Sequence, residues 1–530
     1  MSTKEKDIQI IVAGAAGQGS KKAGNMIGKI LNSYGYRVFV HEDYESVIQG
    51  GHNFSQVCAS EEEMNAIREK ADFLLALNDE AVEKHKHRLK EGGTLIHDSG
   101  INEELLWSEE INILEAPLDE IIKEAGGIDL MKNTALVSFF LKAAGMDLEE
   151  MDPVLRKELP VKTEENMEVA RVAFEKGEER VRIEKGGNDP LPLLPGNAAT
   201  ALGAIDAGLE NYFAYPMTPS TGILNFLSGT EGVRSVQPEN EIAVASMALG
   251  ASYAGKRTMT GTSGGGFALM TESVSFSAQA EVPFCVALSQ RMGPATGVPT
   301  YEAQADLLFA LNAGHGDMMR FVVAPGDADE AYYLSGKALN VAWKYRLPSI
   351  ILLDKEVSEN TYGLKREYEV TKEEAQEGPA KVSGYEHDEK GVATEDMGAI
   401  KEGHERRLRK YEELRKEVNE MDPVKVSGEG EVAVVFWGSS KGAVLKATEE
   451  EEVKLVQPLI LQPFPEGRMK DALKGVKKVI CVELNATGQL SQILRYYGIE
   501  THEKVLKYDG RPFTVEELRE KLRELLSATN

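Results

Sequence analysis

Between Tyr212 and Asp306 four loops rich in Gly, Pro, Ser and Thr interrupt apolar runs in close succession. They are YPMTPST (215–221), PENEIA (238–243), TGTSGGGF (260–267) and QRMGPATGVPT (290–300). Each follows a β-branched or aromatic stretch and precedes a helical pattern, which is how an α/β sheet presents loops at the carboxyl ends of its strands. Binding and catalysis concentrate at that edge, and four loops of such distinctive chemistry exceed what turn-making requires.

A chain of 530 residues, 42% hydrophobic, predicts about three to four domains with ample core. Its net charge of −26 opposes nucleic acid and anionic membrane surfaces, so neither is expected as a partner. Cys58, Cys285 and Cys481 lie far apart in strand-like runs and read as buried thiols of a reducing compartment. No CxxC occurs, so no sequence-local zinc or iron–sulfur site, and no other metal site, is expected in this chain. MSTKEKD lacks the apolar core of a signal peptide, and no apolar run reaches the ~18 residues of a membrane span. The expectation is a soluble, cytoplasmic protein.

The chain opens with the strand-like IQIIVAG (8–14), the turn AAGQGS and a helical pattern from Lys21 to about Tyr34. Gly14, Gly17 and Gly19 permit a tight strand-to-helix turn whose helix terminus offers N–H groups to an anion. The spacing is GxxGxG rather than GxGxxG, and Glu42 and Asp43 lie somewhat further on than the dinucleotide fingerprint places its acidic residue, so a close-packed βα turn competes with a nucleotide site. QGGHNFSQV (49–57) forms a second Gly-rich loop, whose His52 reads as structural because no second metal ligand accompanies it at metal spacing. Residues 1–183 therefore read as one doubly wound α/β domain, and GGNDPLPLLPGN (186–197) as the clearest linker. A second α/β domain is expected over 195–363, with a mainly parallel sheet built from runs such as VPFCVALS and LPSIILLD. A charged segment spans 364–428, where EGHERRLRKYEELRKEVNE (402–420) reads as a solvated connecting helix. A third α/β domain is expected over 429–530.

The central loops carry the candidate chemistry. Glu241 opens a small-residue helix, Ala243 to Ala254, with Glu239 and Asn240 as competitors for its role; simple capping of the helix is the alternative. TGTSGGGF offers backbone N–H groups and hydroxyls without bulk, suited to a ring system or to a tight turn. Arg291 follows a buried strand, where it could orient a carboxylate or make an interdomain salt bridge.

Together YPMTPST, ENEIA, TSGGGF, QRMGPATGVPT with EAQADLLFAL, and NATGQL with KYDGRPFT resemble, in this order, the alpha subunit of 2-oxoacid:ferredoxin oxidoreductases. In the form with a fused amino-terminal gamma domain, GAAGQGS and QGGHNFSQV also find places, so the resemblance covers nearly the whole chain. Departures are TSGGG for TSGPG, YPMTP for YPITP, and Ala16 where the gamma loop carries glycine. The resemblance implies three doubly wound domains: gamma, thiamine-pyrimidine-binding and transketolase C-terminal-like. It implies coenzyme A-dependent oxidative decarboxylation of a 2-oxo acid to acyl-CoA and CO2, with electrons passed to ferredoxin. Glu241 is implied as the catalytic contact to thiamine diphosphate, with Thr262, Ser263, Gly264 and Gly265 lining the cofactor. Tyr215, Thr218, Pro219 and Arg291 are implied for substrate, and Gly14, Gly17 and Gly19 for an anion or coenzyme A. No GDG followed by Asn and no cysteine cluster is present. A beta subunit is therefore implied to carry Mg2+, the diphosphate half-site and a [4Fe-4S] cluster, in an (alpha–beta)2 heterotetramer. Pyruvate, 2-oxoglutarate and branched-chain enzymes share these motifs. Two other readings stay open: a nicotinamide-dependent oxidoreductase using the first loop, and a non-catalytic transketolase-like subunit.

Overall fold

A computed structural model describes residues 7–47, 50–375, 383–388 and 390–527. Gln49 of the second Gly-rich loop, the leading MSTKEK and part of the charged 364–428 segment lie outside the described residues. The fold is α/β, with three sheets, in two compact units. One unit holds the chain up to Leu193 together with Asn360–Gly363 and Thr514–Glu516; the other holds Leu194–Glu359, Leu364–Phe513 and the chain from Glu517 on.

In the first unit the strand Ile8–Ala15 is central. Its side chains alternate between two apolar clusters, Ile10 and Val12 in one, Ile11 and Ala13 in the other, as a sheet covered on both faces requires. Ala71–Ala76, Leu89–Asp98 and Asn112–Ala116 continue the sheet in parallel on one side. On the other side His52–Ser60 and Arg37–Tyr44 pair antiparallel, so the strand–helix alternation read from sequence does not extend there. The connection from Tyr44 to His52 is too short for the helical crossover that parallel pairing needs. His52 is buried, as a structural histidine should be, with its Nε2 at 2.7 Å from Nε2 of His85. Cys58, Cys285 and Cys481 are all free and buried.

The second unit carries two sheets. The larger runs, by strands, Ile460–Gln462, Phe321–Val323, Pro348–Asp354, Phe284–Gln290, Thr258–Thr262, Asn211–Phe213 and Arg234–Val236. All its pairings are parallel except that of the edge strand Ile460–Gln462. The smaller orders Val424–Ser427, Lys454–Pro458, Val432–Phe436, Lys478–Glu483 and Glu503–Leu506. Val286 and Leu288 of the one and Val435 and Cys481 of the other belong to a single apolar cluster.

The expected solvated helix forms as Met397–Glu420, but one of its faces is packed rather than solvated. Leu414 and Val418 are buried, Lys344 donates to Glu417 at 2.7 Å, and Arg406 and Lys410 reach the buried Glu281 at 2.7 and 2.8 Å. The charges that suggested solvation are thus partly partners for groups beneath the helix. Burial alone would raise the Glu281 carboxyl; Lys410 and Arg406 more than reverse this and hold it below its ordinary value. Burial also lowers Lys410, which its pairing with Glu281 offsets only in part. A lowered carboxyl contributes stability above its unfolded pKa and loses it as pH falls through the folded value. Glu281→Gln should therefore cost about 3 kcal/mol near pH 7, because two cations lose their partner. In denaturant titrations the deficit should shrink as pH falls below about 4, the ordinary carboxylate range.

Candidate active site

Four neighbouring parallel strands present the four loops at one edge. Tyr212 is level with Ser235 on one side and Met259 on the other, and Met259 is level with Cys285. Chain direction then puts YPMTP, PEN, TSGGG and QRMGP beside one another at the carboxyl ends of these strands.

The glycines of the third loop are what the others close upon. A Cβ at Gly264 would collide with the Asp306 carboxylate, and one at Gly266 with Thr262 Oγ1 and the Glu241 side chain. Gly265 is exposed, with Met217 Cε at 3.9 Å and the Ala295 carbonyl at 4.0 Å from its would-be Cβ. A side chain at Gly261, one strand residue earlier, would strike the Tyr212 hydroxyl. Thr262 and Ser263 are fully buried, and Ser263 Oγ has no hydrogen-bond partner among the described residues.

Glu241 opens the helix Glu241–Tyr253 and is buried. It is not the cap: Asn240 fills that role, its side chain accepting from Ala243 N at 2.9 Å, and Glu239 is exposed. Thr218 and the buried Pro219 are joined by a cis peptide bond. Arg291 Nη1 donates to the Thr218 carbonyl at 2.9 Å, which fixes the first and fourth loops, those of the substrate candidates, to each other. Tyr215 stands partly exposed before them. The structure therefore brings Thr218, Pro219, Arg291, Glu241, Thr262, Ser263, Gly264 and Gly265 to one place.

Gly14, Gly17 and Gly19 belong to the other compact unit. Gly17 and Gly19 have φ of 94° and 86°, which favours glycine at both. Gln18 braces this turn, accepting from Ala15 N at 2.6 Å and from Asn78 at 3.0 Å. Glu42 is buried and accepts from Asn25 and Ser55, both at 2.8 Å. Those bonds employ the carboxylate that a nicotinamide nucleotide reading would reserve for a ribose.

Known proteins bear on this geometry. The family model described as pyruvate flavodoxin/ferredoxin oxidoreductase, thiamine diphosphate-binding, matches residues 202–423, and that described as pyruvate ferredoxin/flavodoxin oxidoreductase matches residues 9–176. The chain is 30% identical to the 2-oxoacid:ferredoxin oxidoreductase subunit alpha of Saccharolobus solfataricus, over 98% of each chain. The chain belongs to this family of alpha subunits. A 2-oxoglutarate synthase subunit KorA of Archaeoglobus fulgidus is 32% identical over 58% of this chain and 91% of its own. The solved 2-oxoglutarate:ferredoxin oxidoreductase of Magnetococcus marinus, with 2-oxoglutarate, coenzyme A and succinyl-CoA bound, superposes with a TM-score of 0.87 at 28% identity, covering 98% of this chain and 100% of that one.

Sequence reading assigned no role to Asp306, although its motif EAQADL was in view. Asp306 occupies the cap position of the helix Leu307–Asn312, yet its side chain makes no capping bond. Instead the carboxylate lies against Gly264. Burial pushes its pKa up to about 6, against a smaller lowering by Arg291. The signal was there in principle: an Asp just before a short apolar helix, at the end of a loop with few other charged residues. Spacing could not show which way its side chain turns.

A carboxyl raised by folding costs stability once it ionises. The penalty is absent below the unfolded pKa of 3.8, grows up to about 6 and is complete above it. Asp306→Asn should therefore stabilise the protein at pH 8, by up to about 3 kcal/mol for the two-unit shift, and have little effect near pH 3.5. Melting temperatures of the two proteins at both pH values would check this.

Proposed function

We propose that this chain is the gamma–alpha fused subunit of an enzyme that oxidatively decarboxylates a 2-oxo acid to its acyl-CoA and CO2 and passes the electrons to ferredoxin, active only with a beta partner. The observation that carries the reading is the buried Glu241, relieved of capping by Asn240, against Gly266, where no side chain fits. In this reading the three sheets correspond to gamma, pyrimidine-binding and transketolase C-terminal-like domains.

The residues present suit the pyrimidine half of thiamine diphosphate. Gly264, Gly265 and Gly266 leave a surface free of side chains, and Ser263 Oγ is a buried hydroxyl awaiting a partner. When bound, the cofactor supplies the carbanion that attacks a 2-oxo carbon. Glu241 would hold a proton at the pyrimidine ring nitrogen. Arg291 would pair with the substrate carboxylate while Thr218 donates from its hydroxyl to the keto oxygen, where negative charge grows. The loop of Gly14, Gly17 and Gly19 would take an anionic group, coenzyme A being the candidate the family suggests.

A partner is supported by what this chain exposes and lacks. Ile242, Met247, Tyr253 and Leu269, on and next to the helix that begins with Glu241, are each roughly half exposed. Gly250 on the same helix has open space where a side chain would stand. Apolar side chains this close to a polar site suit a subunit interface. The sequence has neither GDG with its Asn nor clustered cysteines, so the diphosphate, Mg2+ and [4Fe-4S] ligands would come from the beta subunit, in an (alpha–beta)2 assembly.

Two measurements test this. The chain purified alone should be inactive and contain no iron, and should turn over a 2-oxo acid once combined with its beta subunit; iron and turnover in the isolated chain would refute the division of labour. In the assembled enzyme Glu241→Gln should slow hydrogen–deuterium exchange at the thiamine C2 position by about 10²–10⁴.

Substrate contacts separate from cofactor contacts by their kinetics. Arg291→Lys keeps the charge but loses the planar fork and should weaken substrate binding by roughly 1.5–3 kcal/mol, seen in KM. Thr218→Val removes the donor and should lower kcat more than it raises KM, and neither change should alter thiamine diphosphate affinity.

A further inference from the structure

Asp306 is placed where neither folding nor capping needs a carboxylate. It leaves its helix uncapped, turns against Gly264, and sits four residues after Glu302 in a loop whose backbone is pinned on both sides. Its own N–H donates to Gln290 Oε1 at 2.9 Å; Gln489 Nε2 donates to the Ala305 carbonyl at 2.7 Å, and Leu308 N to Gln489 Oε1 at 2.9 Å. The elements packed about it thus offer amides and glycine backbone, and the charge it feels is that of Arg291. Glu241 meets the same glycine segment two residues on, at Gly266.

We propose that Asp306 takes up a proton when the substrate carboxylate binds, and then delivers it to the keto oxygen. The inference rests on the proposed pairing of Arg291 with the substrate carboxylate. Arg291 is the attraction that favours the ionised form of Asp306. A 2-oxo acid occupying Arg291 removes part of that attraction and adds a second negative charge nearby, and both effects favour the neutral acid. Starting from a value near 6, a rise of little more than one unit converts a mostly ionised group at pH 7 into a mostly neutral one. The chemistry then balances within the site. As the keto carbon exchanges its π bond to oxygen for a fourth σ bond to the attacking carbanion, the π pair moves onto oxygen, an O–H bond forms with the Asp306 proton, and Asp306 is left as carboxylate. When the acyl carbonyl re-forms, that carboxylate takes the proton back.

The test is calorimetry on the assembled enzyme with unreactive 2-oxo acid mimics, oxamate or N-oxalylglycine according to the acid that it turns over. Titrations in buffers of different ionisation enthalpy report protons taken up on binding. At pH 7 the unaltered enzyme should take up about half a proton per site, and near pH 5, where Asp306 is already largely protonated, little. Asp306→Asn, which resembles the neutral acid, should bind the mimic within a few-fold, take up no proton at pH 7, and lose kcat by about 10²–10⁴. Equal proton uptake by Asp306→Asn and the unaltered enzyme would overturn the proposal, as would a fall in binding with kcat unchanged. Binding that Arg291→Lys leaves unaffected would instead remove the substrate reading on which the proposal rests. Failure of the unaltered enzyme to bind either mimic would count against both.

Discussion

No side chain fits at Gly264 or Gly266, and that steric fact organises the site. Asp306 closes on the first glycine and Glu241 with Thr262 on the last, while Met217 and the Ala295 carbonyl stand off the middle one. Four loops from four strands can converge only where one of them has no bulk. Alanine at Gly264 would displace Asp306, and at Gly266 it would displace Glu241, without removing a single polar group. The run of glycine is less a flexible hinge than an empty volume that the acidic side chains define from either end. Its backbone dihedrals call for no special freedom at these positions, since none of the three has positive φ.

The second constraint lies outside the four loops. Gln304 donates to Asp354 and to the Trp437 carbonyl, both at 3.0 Å, and accepts from Leu484 N at 3.1 Å. Asn485 donates to the Gln304 carbonyl and accepts from Thr487 N and Gly488 N, which shapes the turn that leads to Gln489. NATGQL therefore acts as a clasp for EAQADL: the loop of the smaller sheet holds the segment that carries Asp306. Glu302, in the same segment, is fully buried beside Asp354 and Glu356, and burial followed by those like charges raises it well above its ordinary value. A neutral acid there bonds to the backbone without bringing another charge into the interior.

What the sequence disclosed follows from which physical signals are local. Strands such as Phe284–Gln290 are apolar on both faces and bounded by turn residues, so their place in a parallel sheet can be read directly. The small-residue helix, the glycine loop and the buried cysteines are equally local. Strand direction in the first unit was not legible, because antiparallel pairing there depends on a short connection rather than on composition. The face of Met397–Glu420 was misjudged for a related reason: Arg406 and Lys410 read as solvated until Glu281, far away in sequence, is placed under them. In the site, the family resemblance pointed to Glu241, Thr218 and Arg291, which the fold brings to one edge of the sheet. It could not say that Asn240 does the capping, that Arg291 holds the Thr218 carbonyl, or that Asp306 turns away from its own helix.

Charge then limits what the loop cluster can do by itself. Among the described residues, the side chains about Gly264–Gly266 include the acidic Glu241 and Asp306, and the cation that acts on Asp306 is Arg291, which already spends one N–H on the Thr218 carbonyl. A 2-oxo acid bound as proposed would bring a further carboxylate into a place where burial has already raised Asp306 to about 6. Desolvated charge of one sign does not accumulate; it is met by a counter-charge or it is neutralised by a proton. If the counter-charge came from a partner's lysine or arginine, Asp306 would stay ionised and the substrate would be held by two cations. If it did not, a proton would enter with the substrate, and in the proposed reading Asp306 would hold it. The two cases differ in whether binding consumes a proton. That makes the protonation of one aspartate a direct measure of how the charge of the site is divided between this chain and whatever covers it.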